Sequence, residues 1–321
     1  MQSSLAHPPI KVSVIIPCFN AEAFVAAAID SALAQGDVVG ELLLVDNNST
    51  DETLAVLHTY RERFPERIHV LKATTQGAAA ARNLGLLAAR GEWIQFLDAD
   101  DIILPSKLDH QLTLVDPATD WIIAAFWQED ARKRRTLSEV NPDPWRGLVY
   151  NGGTGMTHSN LFRRKILLAV GGMDEALPNN EDSDLYFRLL KNDASVRLDQ
   201  DPRAVYRFRT GSRLTDITDG REILRVVEFC ESVNEYLRHS RPAYWSEHRA
   251  FFRAALLRQI TRLVRYDSRT ARKVFARAFP EGVAWSAVRW SLLPAYALLY
   301  PLFGMAGVIA REKIRRRLKS D

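Results

Sequence analysis

The sequence predicts an α/β fold, a parallel sheet covered by helices on both faces, with a basic helical extension after it. Short apolar runs alternate with helix-like segments through the first hundred residues, the spacing of strand–helix–strand units. Acidic residues stand at the ends of two of these runs, Asp46 and Asp98, where ligands of such folds gather. A change in charge near residue 202 predicts the extension.

The elements follow in order. VSVIIP (12–17) reads as a buried strand, and AEAFVAAAIDSALAQ (21–35) as a helix with apolar residues at helical spacing. ELLLVD (41–46) is a second strand. TDETLAVLHTYRERF (50–64) opens with a Thr-Asp-Glu cap and continues as a helix. RIHVLK (67–72) is a third, short strand. GAAAARNLGLLAAR (77–90) is a helix whose small residues allow close packing, and WIQFLD (93–98) is the fourth strand. WIIAAFW (121–127) is a further strand, followed by a polar, arginine-rich stretch with NPDP that reads as a loop or hairpin. GTGMTHSNLF (153–162) suggests a turn leading into a strand, and SDLYFRLLKND (183–193) a helix directly after Glu181 and Asp182. Residues 215–279 are mainly helical and rich in arginine. The expected division is 1–213, 214–280 and 281–321.

Of the 321 residues, 47% are hydrophobic and 26% charged, enough for a full core. Only Cys18 and Cys230 occur, which argues against a disulfide framework and fits a reducing compartment. The N-terminus has no basic start followed by a long apolar core, so no cleaved signal peptide is expected. The net charge of +4 conceals an asymmetry. Residues 1–202 hold 19 Lys+Arg against 28 Asp+Glu, and residues 203–321 hold 24 against 11. The basic third favours phosphates, of nucleic acid or anionic lipid. It carries no zinc or RNA-binding motif, so no nucleic-acid partner is expected.

SLLPAYALLYPLFGMAGVIA (291–310) has twenty residues without a charge and is followed by REKIRRRLK. That length suffices to cross a bilayer core, although two prolines and two glycines interrupt it. A single crossing sets the basic tail against the positive-inside tendency. Contact with the inner face of the cell membrane, re-entrant or lying in the interface, is therefore expected. The alternative is a hydrophobic helical pair packed on the domain or on a second subunit.

IQFLDADDIILP (94–105) carries the central question. Asp98, Asp100 and Asp101 lie within four positions, and like charges so close repel. Either water solvates them in a turn or a cation sits among them. VSVIIPCFN, LLVDNNSTD, GAAAARNLGLLAARGEWIQFLDADD and NNEDSDLYFRL, in this order and spacing, resemble the family 2 inverting glycosyltransferases of GT-A fold. The resemblance covers residues 12–213 and implies a Rossmann-like mixed sheet flanked by helices.

It also implies a nucleotide-sugar donor, of UDP or TDP type, and a glycan or lipid-linked acceptor of the cell envelope. Mg²⁺ or Mn²⁺ would offset the charge growing on the diphosphate leaving group. By the resemblance Asp100 is the direct metal ligand, Asp98 contacts the donor or orders the loop, and Asp101 supports them. Asp46 and Asn47 would form the pocket for the base. The family commonly has two acids there, and Asn47 still offers a carbonyl acceptor. Pro17, Phe19 and Asn20 would line the other wall, with core packing the alternative for Phe19. Arg82 and Asn83 approach the nucleotide, Arg82 pairing with a phosphate or with Asp98.

Asp182 would be the base that takes the acceptor's hydroxyl proton, with Glu181 a second candidate or an acceptor contact. Adjacent acids raise one another's pKa. Asp184 belongs to the helix start, and Arg188 holds the acidic loop. His158 either faces the acceptor or is a satisfied core histidine. Arg207, Arg209 and Ser212 either close over the diphosphate or form a solvated edge.

Two other readings stay open. A sugar-nucleotide nucleotidyltransferase shares a related layout but usually begins with a Gly-rich phosphate loop, and VSVIIPCFNAE has no glycine. A non-enzymatic membrane or nucleic-acid module would rest on the basic third alone. The oligomeric state is not set by the sequence.

Overall fold

The computed structural model describes residues 11–150, 153–208 and 220–281. Contacts divide the chain into two units, 1–211 and 212–321.

In the first unit the predicted alternation is present: β1 (Val12–Cys18), α1 (Val25–Leu33), β2 (Val39–Asp46), α2 (Thr53–Arg63), β3 (Ile68–Lys72), α3 (Ala78–Ala88) and β4 (Trp93–Phe96). After β4 come β5 (Ile102–Ile103), α4 (Lys107–Thr113), β6 (Trp121–Ala124), β7 (Phe126–Glu129), β8 (Arg135–Ser138) and α5 (Pro144–Leu148). The unit continues with β9 (Leu161–Arg163), α6 (Arg164–Ala169), α7 (Glu181–Lys191), β10 (Val196–Asp199) and β11 (Ala204–Arg207).

The main sheet has seven strands in the order β10-β6-β9-β4-β1-β2-β3. Every pair is parallel except those of β9, which runs antiparallel to β4 and β6. The strand–helix alternation gives the parallel part of the sheet, and with β9 the sheet is mixed, as the resemblance implies. In β1 Val12, Val14, Ile15, Ile16 and Cys18 are all fully buried, as they must be in a sheet covered on both faces. The single strand expected at 121–127 is two. β6 belongs to the main sheet, and β7 joins a second sheet ordered β5-β11-β7-β8. The stretch after it is the β7–β8 hairpin. NPDP supplies the start of α5, where the Asp143 side chain accepts from the Trp145 and Arg146 amides beside Pro144.

Small residues set how closely α3 and its loop lie on β1. A Cβ at Gly85 would stand 2.5 Å from Ile15 Cγ2, and one at Gly91 2.6 Å from the Ser13 backbone nitrogen. The close approach brings the N-terminal half of α3, which carries Arg82, to the carboxyl ends of the strands. The second unit holds α8 (Gly220–Ser240), α9 (Pro242–Leu263) and α10 (Ser268–Ala278), with Ile223, Val227, Leu237, Phe252, Leu257 and Ile260 in its buried stripe. No helix among the described residues is long and apolar enough to cross a membrane. The segment 291–310 lies outside the described residues.

Gly91→Ala should destabilise the fold by about 1–3 kcal/mol, because the added methyl meets backbone that cannot move aside. A lower urea midpoint with an unchanged slope is the expected result.

Candidate active site

The site lies at the carboxyl ends of β1, β2 and β4. The turn after β4 is tight, with the Asp101 amide donating to the Asp98 carbonyl at 3.0 Å. It leads into β5, which pairs antiparallel with β11, and this pairing brings Arg207 onto the acidic turn. The Arg207 amide donates to Asp101 Oδ1 at 2.9 Å and its Nε to the Asp100 carbonyl at 2.6 Å. Arg207 thus holds the turn through its backbone and one carboxylate. Arg209 and Ser212 lie outside the described residues.

Arg82 joins the two acidic motifs. Its Nη2 donates to Asp98 Oδ1 at 2.5 Å and its Nη1 to Glu181 Oε1 at 3.0 Å. The guanidinium is 7% exposed and the two carboxylates 24% and 20%. Burial opposes the charge on Arg82, but Asp98 and Glu181 outweigh it and push its pKa above the usual range. The turn after β4 and the first residues of α7 therefore stand on either side of one guanidinium.

Asp182 follows Glu181 in the first turn of α7, where it accepts from the Ser183 amide at 2.7 Å. Burial and then the neighbouring Glu181 push its pKa up to about 6, against the Ser183 amide and Arg82, which lower it. Asp184 pairs with Arg188 Nε at 2.7 Å, and Arg188 Nη1 reaches the Val170 carbonyl at 2.7 Å. Arg188 thereby ties α7 to the end of α6.

His158 is fully buried, with Tyr206 stacked at 5.9 Å and Phe126 edge-on at 5.5 Å. Its Nδ1 lies 3.2 Å from Asp101 Oδ2. Neither ring nitrogen has a hydrogen-bond partner among the described residues, so it is not a satisfied core histidine. Burial pushes its pKa down to about 4, which leaves it neutral at pH 7 with a lone pair to offer. Asp98, Asp101 and His158 each present one ligand atom within 4.8 Å of the others. Two carboxylates and an unsatisfied neutral imidazole fit a divalent cation. Asp100, expected as the direct ligand, is not one of these three. The sequence left His158 between an acceptor contact and a core histidine, and the fold brings it to Asp101, 57 positions away.

On the nucleotide side, Phe19 is 50% exposed, which removes core packing as its role. Pro17 is in β1 opposite Val45 of β2. Asn20 adopts a left-handed conformation, φ 46°, and its Oδ1 accepts from the Thr50 amide at 2.8 Å, joining the two loops. Asp46 is buried, and its Oδ1 accepts from the Ser49 amide at 3.3 Å. Asn47 is buried too. Its Nδ2 donates to the Thr75 carbonyl at 2.6 Å and its Oδ1 accepts from the Gly77 amide at 2.7 Å. The acceptor reserved for a base is thus engaged in pinning the loop before α3. Asn83 is likewise turned elsewhere, because one residue along a helix is a rotation of about 100°. Its amide clamps both backbone groups of Met173 and the Glu175 carboxylate.

Arg82→Met should cost about 3 kcal/mol, the lower end for removing one partner of a buried ion pair. Arg82→Lys should recover only part of this, since one ammonium lacks the fork that spans two carboxylates. Urea denaturation of both variants checks the order.

Residues 13–171 match the family described as Glycosyl transferase family 2. Among curated relatives, a Rickettsia felis protein described as a glycosyltransferase is 29% identical over 234 residues, covering 67% of this chain and 37% of that protein. One from Rickettsia typhi is 29% identical over 195 residues, 56% of this chain and 58% of the relative. The chain thus spans between about a third and three fifths of the length of these relatives. Staphylococcus aureus TarS 1–349, in complex with UDP-GlcNAc, superposes with a TM-score of 0.58 at 17% identity, over 96% of this chain and 92% of that one. The mannosyltransferase PcManGT from Pyrobaculum calidifontis, in complex with GDP-Man and Mn²⁺, gives 0.56 at 18% identity, over 98% and 89%. These structures share the fold. LLVDNNSTD, the stretch that ends in DADD, and VSVIIPCFN from Ser13 onward fall within the matched segment, and NNEDSDLYFRL lies beyond it. Through residues 13–171, just under half of the chain, it matches glycosyl transferase family 2.

Proposed function

We propose that this protein is an inverting, metal-dependent glycosyltransferase that moves a hexose or related sugar from a nucleotide-diphospho-sugar to a glycan or lipid-linked acceptor of the cell envelope. One observation carries the reading. Arg82 bridges Asp98 and Glu181, which supports reading the turn after β4 and the first residues of α7 as parts of one site. The family match supports glycosyl transfer, and the nucleotide-sugars bound by TarS and PcManGT support the donor class.

Asp98, Asp101 and His158 would hold the cation, which when bound offsets the negative charge growing on the departing diphosphate. A nitrogen ligand in the set favours Mn²⁺ over Mg²⁺, which prefers oxygen. Asp182 receives the proton of the attacking acceptor hydroxyl. As the bond from that oxygen to the anomeric carbon forms, the bond from the same carbon to the phosphate oxygen breaks, and nucleoside diphosphate leaves. The anomeric centre inverts without a covalent sugar–enzyme intermediate. A base held near 6 is deprotonated at neutral pH yet still basic enough to accept the proton. Phe19 and Asp46 would line the base pocket, and Pro17, Asn20 and Asn47 shape it. The charge of residues 203–321 supports work at the inner face of the cell membrane, from the cytoplasm.

A panel of nucleotide-sugars with Mn²⁺ or Mg²⁺, read by donor hydrolysis and thermal shift, tests the proposal. No response to any donor would count against it, and pyrophosphate release from NTP and sugar phosphate would instead favour the nucleotidyltransferase. The transfer rate should rise with pH through an inflection near 6, because the base works only when deprotonated. Asp182→Asn should bind donor normally and lose at least about a thousandfold in turnover, in keeping with loss of a general base. Chelation should abolish transfer. His158→Ala should weaken Mn²⁺ binding, measured by electron paramagnetic resonance, more than Asp100→Ala does.

A further inference from the structure

Below the acidic turn lies a buried amine that the reaction does not use. Lys107, in the first turn of α4, is 1% exposed. Its Nζ donates to Gln95 Oε1 at 2.5 Å and to Gln111 Oε1 at 2.7 Å. Both glutamines are equally buried. An amine hydrogen-bonded in this way donates, so each amide must present its oxygen to Lys107 and turn its NH₂ outward.

Those NH₂ groups converge on one segment. Gln95 Nε2 donates to the His158 carbonyl at 3.0 Å and, more weakly, to that of Thr157 at 3.4 Å. It also reaches the Phe96 carbonyl at 2.5 Å. Gln111 Nε2 donates to the Ser159 carbonyl at 3.0 Å and to Asp199 Oδ2 at 3.2 Å. Three successive carbonyls, of Thr157, His158 and Ser159, are thus held by two amides whose orientation one lysine decides. The imidazole of His158 has no hydrogen bond of its own among the described residues. Its position is therefore set by ring packing, by the Asp101 carboxylate 3.2 Å from Nδ1 and by this backbone. The two amides convert one amine into an array of donors aimed at carbonyls.

We propose that Lys107 is a positioning residue for the candidate metal centre, fixing through Gln95 and Gln111 the backbone from which His158 reaches Asp98 and Asp101. The part concerning the metal rests on the reading given under Proposed function. The part concerning the backbone does not.

Lys107→Met keeps the length of the side chain and removes the donor. Hydrogen exchange of the metal-free full chain, followed by mass spectrometry, should show peptides covering 155–162 exchanging at least about tenfold faster. Peptides from α1 and α2 should be unchanged. The dissociation constant for Mn²⁺ alone, by electron paramagnetic resonance, should rise about ten- to a hundredfold, as for lost support of a ligand. Local exchange and Mn²⁺ affinity both equal to wild type would overturn the proposal. So would exchange that accelerates evenly along the chain, which is the signature of a merely structural lysine. If the wild-type protein binds no Mn²⁺ while the variant still loosens 155–162, the metal reading falls and the positioning role stands. Should Lys107→Met not accumulate, Gln95→Met removes the donors to Thr157 and His158 alone and must produce the same local loosening.

Discussion

The site depends on one guanidinium. Asp98 and Glu181 would repel each other across the cleft, and Asp182 adds a further carboxylate beside them. Arg82 places two donors between the opposing groups, 16 and 99 positions away in the chain, and its burial strengthens both attractions. The cost of desolvating the arginine is offset because both forks are engaged. An arginine suits this place because its charge persists where a lysine would lose its proton. The end of β4 and the start of α7 therefore approach closely around one guanidinium.

α3 shows how much one short helix contributes. Arg82 on one face serves the cleft, Asn83 on the next clamps Met173 and Glu175, and Gly85 lets the helix settle onto Ile15. The clamp fixes the loop between α6 and α7, and Arg188 ties the same region from the other side through Asp184 and Val170. Asp182 thus stands on a helix held from two directions. Rigid placement of this kind is what brings a carboxylate to a hydroxyl without further reorganisation.

Burial divides the labour among the acids and the histidine. Asp182 is raised toward neutrality by desolvation and by Glu181, which suits a proton acceptor. The same desolvation keeps His158 unprotonated, which suits a ligand. One environment thus pushes an acid up and a base down, and each shift leaves the group better matched to its task. Asp182 carries a linked effect on stability. A carboxyl whose folded pKa is raised favours the folded state below the ordinary carboxylate range, and that contribution is lost as pH rises through about 6.

The strand–helix alternation, the acidic strand ends and the motif order are local patterns, so the α/β class and the DADD and EDSD motifs were legible in the linear chain. Chain order alone could not say that β9 would enter the sheet antiparallel or that 121–127 would split between two sheets. Those outcomes depend on pairing partners far away. Chain order likewise could not say that the amides of Asn47 and Asn83 would hold Gly77, Met173 and Glu175. His158 and Lys107 show the limit most clearly. Neither belongs to a motif, and each acquires its role only when β4, α4 and the 153–162 segment close around it. Residue type and order determined which chemistry was available to this protein. Tertiary packing decided which side chains share a cleft, because distance in space, burial and competing hydrogen-bond partners exist only once the chain has folded.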